Sequence, residues 1–140
     1  ALISKIYAAK LKYFTDDYSK LFNKKERKMM PIINRGTWTR VFSVRSLISR
    51  FLEKFKDDEV QILSLGAGLD TNYFDHEENS DQFKEMNVKY FEVDFQDIVI
   101  NKLSVIKENT SLEKLIFKEE SPEYPSEDSL ISARYRLISC

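Results

Sequence analysis

Few residues in this chain have a type and spacing that could do chemistry, and most of them fall between Val60 and Asp94. Gly66 and Gly68 follow directly on the apolar run 60–65, VQILSL. Glycine turns the backbone without a Cβ penalty and admits close approach by a ligand, so a strand followed by Gly-x-Gly reads as the floor of a nucleotide-type cofactor site. The same two glycines also read as an ordinary turn. A dinucleotide is disfavoured, because Thr71 stands where that fingerprint wants a third small residue. No Lys-Ser or Lys-Thr pair follows, which excludes a P-loop. Asp94 stands at the carboxyl end of a second strand candidate, 88–93, VKYFEV. An acid there can accept hydrogen bonds from both hydroxyls of an adenosine ribose. It lies 94 − 66 = 28 positions beyond Gly66, against about 20 in the fingerprint, and a polar insertion over residues 75–81 accounts for the excess.

Other chemical groups are sparse. Arg35, Arg40, Arg45 and Arg50 recur at intervals of five. Five residues carry a helix about 140° past a full turn, so the four cannot share a face and at most one or two meet a ligand. For Arg45 and Arg50 the expectation is a surface arginine packing its stem on neighbours. The only histidine, His76, is set among Asp75, Glu77 and Glu78, and a lone histidine in a mobile acidic loop reads as solvated rather than as a metal ligand. No Ser-His-Asp set, Cys-His pair or carboxylate dyad can be assembled, so no catalytic residue is assigned.

The elements that must position these groups follow from periodicity. Residues 1–14 carry Leu2, Ile6, Ala9 and Tyr13 at helical spacing. Thr15 is expected to cap a short turn over 18–22, and the charge run 23–28 reads as a solvated connection. Pro31 blocks helix continuation across it, so a long helix is expected from after Asn34, Arg35 and Gly36 to about Phe55. Trp38, Val41, Phe42, Ile48, Phe51, Leu52 and Phe55 mark its broad apolar face, which should dock on the sheet. The run 60–65 reads as a strand buried on both faces of a parallel sheet. A further helix over 95–107 should cover the second strand, with Asp97 favourable near its start. The pattern breaks at 108–113, residues 119–129 read as a connection rather than a packed element, and Tyr135, Leu137 and Ile138 suggest a third strand within 134–140. The fold class is α/β, divided into an N-terminal helical segment (1–34) and a cofactor-binding part (35–140).

Composition narrows the class. One hundred and forty residues fit one domain. The net charge of −1 leaves no electrostatic footprint for nucleic acid or an anionic membrane. The single cysteine, Cys140, excludes an internal disulfide framework and fits a reducing, cytoplasmic setting. No apolar run of about 18 residues and no signal peptide is present.

Three segments, INRGTWTRVFSVRSLISRFLEKF, ILSLGAGLDTNYF and KYFEVDFQDIVINKL, occur in this order. Together they resemble the leucine carboxyl methyltransferase family, whose members use S-adenosylmethionine to methylate the C-terminal leucine of the phosphatase 2A catalytic subunit. The resemblance implies a Rossmann-like S-adenosylmethionine-dependent methyltransferase fold, here its N-terminal helices and first strands, within a longer protein. It implies that Gly66, Gly68 and Asp94 bind the cofactor and that Arg40 pairs with its methionine carboxylate, to which a guanidinium can donate two parallel hydrogen bonds. Asp70 and Thr71 match the family's Asp-Thr pair and are expected to shape the glycine loop through nearby N–H groups. A cofactor-binding lysine of the family falls near Thr15, with Lys12 and Lys20 beside it. The implied partner is the phosphatase tail, met by a cytoplasmic monomer. The carboxylate to be methylated is already anionic and needs no general base, so rate would come from positioning. Two alternatives are a tRNA-modifying relative, which carries an appended β-propeller, and a non-catalytic module that binds cofactor or partner.

Overall fold

A computed structural model describes all 140 residues. In chain order the elements are α1 (Leu2–Lys10), α2 (Ser19–Phe22), α3 (Pro31–Lys54), β1 (Val60–Leu65), α4 (Asn72–Asn79), α5 (Asp81–Glu85), β2 (Val88–Asp94), α6 (Gln96–Glu108), α7 (Thr110–Phe117), β3 (Glu123–Ser126), β4 (Ser129–Ile131) and β5 (Tyr135–Ser139). One five-stranded sheet has the order β1-β2-β5-β4-β3. β1, β2 and β5 run parallel, and β3 and β4 add an antiparallel hairpin beyond β5. This is the α/β, Rossmann-like arrangement expected, with the sheet mixed rather than parallel throughout.

The register sorts the strand residues between two faces. Val60, Val88, Tyr90, Glu92, Tyr135 and Leu137 fall on one face, and all are buried. Against it, Tyr73, Phe74 and Phe83 from α4 and α5 join Tyr90 and Tyr135 in an aromatic cluster, closest at 4.4 Å between the Tyr73 and Tyr135 rings. Leu103 and Ile106 of α6 and Leu112, Ile116 and Phe117 of α7 complete this core. The opposite face presents Leu63 beside Phe91, and the row Leu65, Val93 and Ile138 across the three parallel strands. It is open: Leu63 is 60% exposed and Leu65 73%.

Several expectations are corrected. β1 is an edge strand with one face uncovered, because α3 packs on α1 and touches α5 instead of lying across the sheet. Only Val41 and Leu52 of its apolar residues are buried, while Trp38, Phe42 and Phe51 stay exposed. α3 also starts earlier than expected, with Pro31 in its first turn, where the N–H that proline lacks would have had no helical partner. The division drawn at 34/35 therefore falls inside α3. Residues 119–129 contain β3 and lead into the first residue of β4 rather than forming a bare connection, and the hairpin covers the far edge of β5. The break expected over 108–113 is confined to Asn109, and a further helix, α7, starts at Thr110 with Leu112 and Ile116 on a buried face. Thr15 caps nothing: Asp16 Oδ1 accepts from the N–H groups of Tyr18 and Ser19 at 3.1 and 2.9 Å.

Candidate active site

The glycine loop leaves β1 at its carboxyl end and is stitched to the end of β2. Gly66 and Gly68 have φ of +64° and +57°, the left-handed region that side chains disfavour. No atom lies within 4 Å of where a Cβ would stand on either, so the space above the loop is free for a ligand. The N–H groups of Gly66 and Ala67 donate to the Val93 carbonyl at 2.8 and 3.3 Å. The Gly68 N–H donates to Asp94 Oδ2 at 2.6 Å, and the Phe95 N–H to Asp94 Oδ1 at 2.7 Å. Asp94 is the last residue of β2 and is half-buried, so its carboxylate both braces the loop and stands at the rim of the site.

Above the loop opens a cleft of about 560 Å³, within the range of small-molecule sites. Its walls bring together Gly66, Gly68 and Asp70 from the loop, Arg40, Val41 and Val44 from α3, and Lys5 from α1. Arg40 is exposed, and no carboxylate lies within ion-pair distance of it. Arg45, by contrast, is not the surface residue expected. It donates to the Thr15 carbonyl at 3.0 Å, pairs with Asp75 at 3.1 Å and lies over the Phe14 ring. Asn72 also lines the cleft, with its Oδ1 buried and unpartnered.

Lys5 is the site residue that sequence reasoning missed. Its Nζ donates to Thr71 Oγ1 at 2.6 Å and lies 3.0 Å from Asp16 Oδ2 and 3.5 Å from Asp70 Oδ1. Thr71 in turn donates to Asp16 Oδ2 at 2.9 Å, as does Ser19 at 2.7 Å. Burial pushes the Asp16 carboxyl upward, but Lys5, the Ser19 hydroxyl and the Ser19 N–H outweigh it and hold the group below its ordinary value. Thr15, Lys12 and Lys20 line a separate hollow on the other side of α1's end, so none of them occupies this cleft. Asp70 Oδ2 accepts the Asn72 N–H at 3.3 Å, whereas the Thr71 hydroxyl binds the N-terminal segment rather than a backbone N–H. A signal for Lys5 was present: it is the one charged residue on the buried face of α1, beside Ile6 and Ala8, and lysine is almost never buried without a partner.

His76 is not in a solvated loop. It sits in α4, 5% exposed and stacked on Phe83, with Nε2 unpartnered. Burial, aided by Arg45, pushes its pKa down to about 4, so the ring is a neutral core residue at pH 7. No group of three or more His, Cys, Asp and Glu side chains is placed to hold a metal ion.

The cleft combines a glycine floor with open space above it, a strand-end acid, and Arg40, a cation that no protein carboxylate neutralises, with Lys5 bracing Asp70 and Thr71 beside it. That donor and acceptor set suits a zwitterionic nucleoside. Comparison with known proteins agrees in kind. The family described as leucine carboxyl methyltransferase matches residues 2–132. The leucine carboxyl methyltransferase 1 homolog of Arabidopsis thaliana is 36% identical over 138 residues, covering 99% of this chain and 40% of that protein. Leucine carboxyl methyltransferase 1 of Bos taurus is 38% identical over 145 residues, covering 99% and 41%. The tRNA wybutosine-synthesizing protein 4 of Saccharomyces cerevisiae is 29% identical over 136 residues, covering 89% of this chain and 19% of its own length. The chain thus spans about two fifths of the methyltransferase relatives and less of the tRNA-modifying one. With nearly its whole length matched by the family profile and by relatives of that name, the chain belongs to the leucine carboxyl methyltransferase family.

Proposed function

We propose that this chain is the cofactor-binding part of an S-adenosylmethionine-dependent methyltransferase that acts on the C-terminal leucine carboxylate of a phosphatase 2A-type catalytic subunit. One observation carries the reading: a single cleft gathers the Gly66–Gly68 floor with Arg40 and Lys5, and Asp94 stands at its rim. Asp94 would accept the ribose hydroxyls, exchanging the Gly68 N–H for a ligand or sharing its oxygens between them. Arg40, free of any protein carboxylate, would take the methionine carboxylate two-pronged. Lys5, paired with Asp16, would hold Asp70 and Thr71 in place beside the cofactor. S-adenosylmethionine, when bound, supplies an electrophilic methyl on its sulfonium. The chain's own residues would orient that group and keep its carboxylate neutralised, while the leucine carboxylate, already charged, requires no base.

The reading supports a cytoplasmic monomer whose partner is the phosphatase tail. No helix is long and apolar enough to cross a membrane. A tRNA substrate has one observation in its favour, the wybutosine-synthesizing relatives, but they match at lower identity, and a net charge of −1 does not suit a polyanion.

Isothermal titration tests cofactor binding. Asp94→Ala should weaken S-adenosylmethionine by about 1–3 kcal/mol, the cost of stranding buried hydroxyls. Arg40→Lys should also lose affinity, and decarboxylated S-adenosylmethionine should bind wild type and that variant equally. Unchanged affinity in both variants removes this cleft from consideration. The substrate is tested with labelled cofactor, the protein that carries this chain, and phosphatase with or without its last leucine. Base-labile label on the intact tail alone is the expected result, and label on tRNA overturns the assignment.

A further inference from the structure

Beneath the glycine loop two charged side chains lie wholly inside the protein. Glu92 projects from β2 and Lys102 from α6, both with fully buried side chains, and they form a direct ion pair. The Tyr135 hydroxyl, on β5, donates to the same Glu92 oxygen at 2.8 Å. The Lys102 ammonium also faces the rings of Phe22 and Phe74, at 5.8 and 6.0 Å from their centroids. Beyond the pair it makes one polar contact, donating to the main-chain carbonyl of Asp70 at 2.7 Å.

Stability alone does not explain this arrangement. Desolvating two charges commonly costs more than their attraction returns, and well-packed apolar side chains of the same shape often hold a fold as well or better. Glu92 is moreover incompletely satisfied, because its Oε1 has no partner, and burial pushes its carboxyl upward although Lys102 opposes that. What an apolar pair could not supply is a fixed donor at the Asp70 carbonyl. That carbonyl ends the turn that begins with Gly66 and Gly68, and the carboxylate of the same residue faces Lys5. The next side chain, Thr71, is bound to Asp16 and Lys5.

We propose that Lys102, aimed by Glu92 and Tyr135, is a positioning residue for the cofactor: it pins the Asp70 carbonyl from below and so fixes the curvature of loop 66–71. The proposal rests on the cofactor reading given above. It makes the sheet core and the site one mechanical unit, with β2, β5 and α6 each contributing one group to a single buried tether.

The test separates positioning from general stability. Lys102→Met alone would leave Glu92 buried without a counter-ion, so the informative variant is Lys102→Met with Glu92→Gln, which removes both charges at similar volume. Leu103→Ala, on the same helix and buried in the hydrophobic core, is the control. Measured on each are the melting temperature, the dissociation constant for S-adenosylhomocysteine, and hydrogen exchange at the amides of Gly68 and Asp70. The double variant should lose about tenfold in affinity, the size of one stranded buried hydrogen bond, and its loop amides should exchange faster. Leu103→Ala should lower the melting temperature yet keep affinity within about twofold. Glu92→Gln alone keeps an acceptor for Lys102 and leaves the Asp70 contact intact, so it should bind within about threefold of wild type. Wild-type affinity and exchange in the double variant overturn the proposal, and so does a tenfold loss in Glu92→Gln alone. If the double variant does not fold, Tyr135→Phe, which removes one of the two groups that aim Lys102, decides instead: its loop amides should exchange faster than those of wild type, and unchanged exchange overturns the proposal. Should wild type bind no cofactor, the functional reading fails, and loop exchange alone then decides whether Lys102 fixes the loop.

Discussion

Along β1 and β2, neighbouring residues of similar chemistry meet opposite fates. Val60, Val88 and Tyr90 disappear under helices, while Leu63 and Leu65 on the other face lie open to solvent. Strand composition does not distinguish them. The connections do: α4 and α5 link β1 to β2, α6 and α7 lie between β2 and the hairpin that precedes β5, and the core they share faces one side. α3 precedes β1 and gives its buried residues chiefly to α1 and α5. An apolar strand states that both its faces can be buried, and the covering helices decide which one is. The glycine loop sits at the junction, anchored in the finished face and open on the other.

The sharpest challenge to this contrast is a truncation on each side. Phe74→Ala, on the closed side, should cost about 3–5 kcal/mol in denaturant unfolding, because a fully buried ring leaves a cavity among Tyr18, Tyr73 and Tyr135. A smaller effect depends on pH. His76, whose folded pKa lies near 4 against an ordinary 6.5, is protonated first in the unfolded chain. Stability should therefore be intact above pH 6.5 and fall by about 3 kcal/mol as the pH drops to 4, with His76→Phe flattening that slope. The depressed Asp16 carboxyl adds its own loss only below its ordinary value of 3.8, and the Asp75 and Glu92 carboxyls, pushed upward by burial, act in the opposite direction, so the share of the histidine is read as the difference between the slopes of wild type and His76→Phe. A slope that survives in His76→Phe means another group is responsible. The smallest effect belongs to the open face: Leu65→Ala should change stability by no more than about 0.5 kcal/mol. If it rivals Phe74→Ala, this face is covered in solution and the contrast collapses.

What the sequence made legible was local. The strand 60–65, the two glycines and the acid ending β2 are contiguous patterns whose physics lies in the residues themselves, and each stands where expected. What it hid was set by distant partners. The edge position of β1 depends on which strands pair, and the exposure of Trp38 and Phe42 depends on where α3 docks. Residues 119–129 looked like a connection because prolines and serines punctuate them, yet they contain β3, whose Tyr124 packs edge-on against the buried Phe117. Polar surroundings misled about His76 in the same way, since Glu77 and Asp75 are buried by pairing with Arg134 and Arg45. In the site, Arg40 and Asp94 came from motifs, whereas Lys5 has no motif. Its position on the buried face of α1 marks it as paired, and the contact of α1 with the loop supplies the partners.

Lys5 and Thr71 are 66 positions apart, and this separation orders events in time. A ribosome releases α1 before the loop it must grip exists, so Lys5 waits, on a helix with only α2 and α3 to pack against, until β1 and the loop have emerged. Closing a loop of that size costs about 4 kcal/mol in chain entropy beyond a constant. That cost is offset only when the sheet has already brought the loop into place, so the cleft's second cation arrives after the floor it completes. Any partner or chaperone that holds α1 during synthesis would leave a folded core with a half-built site.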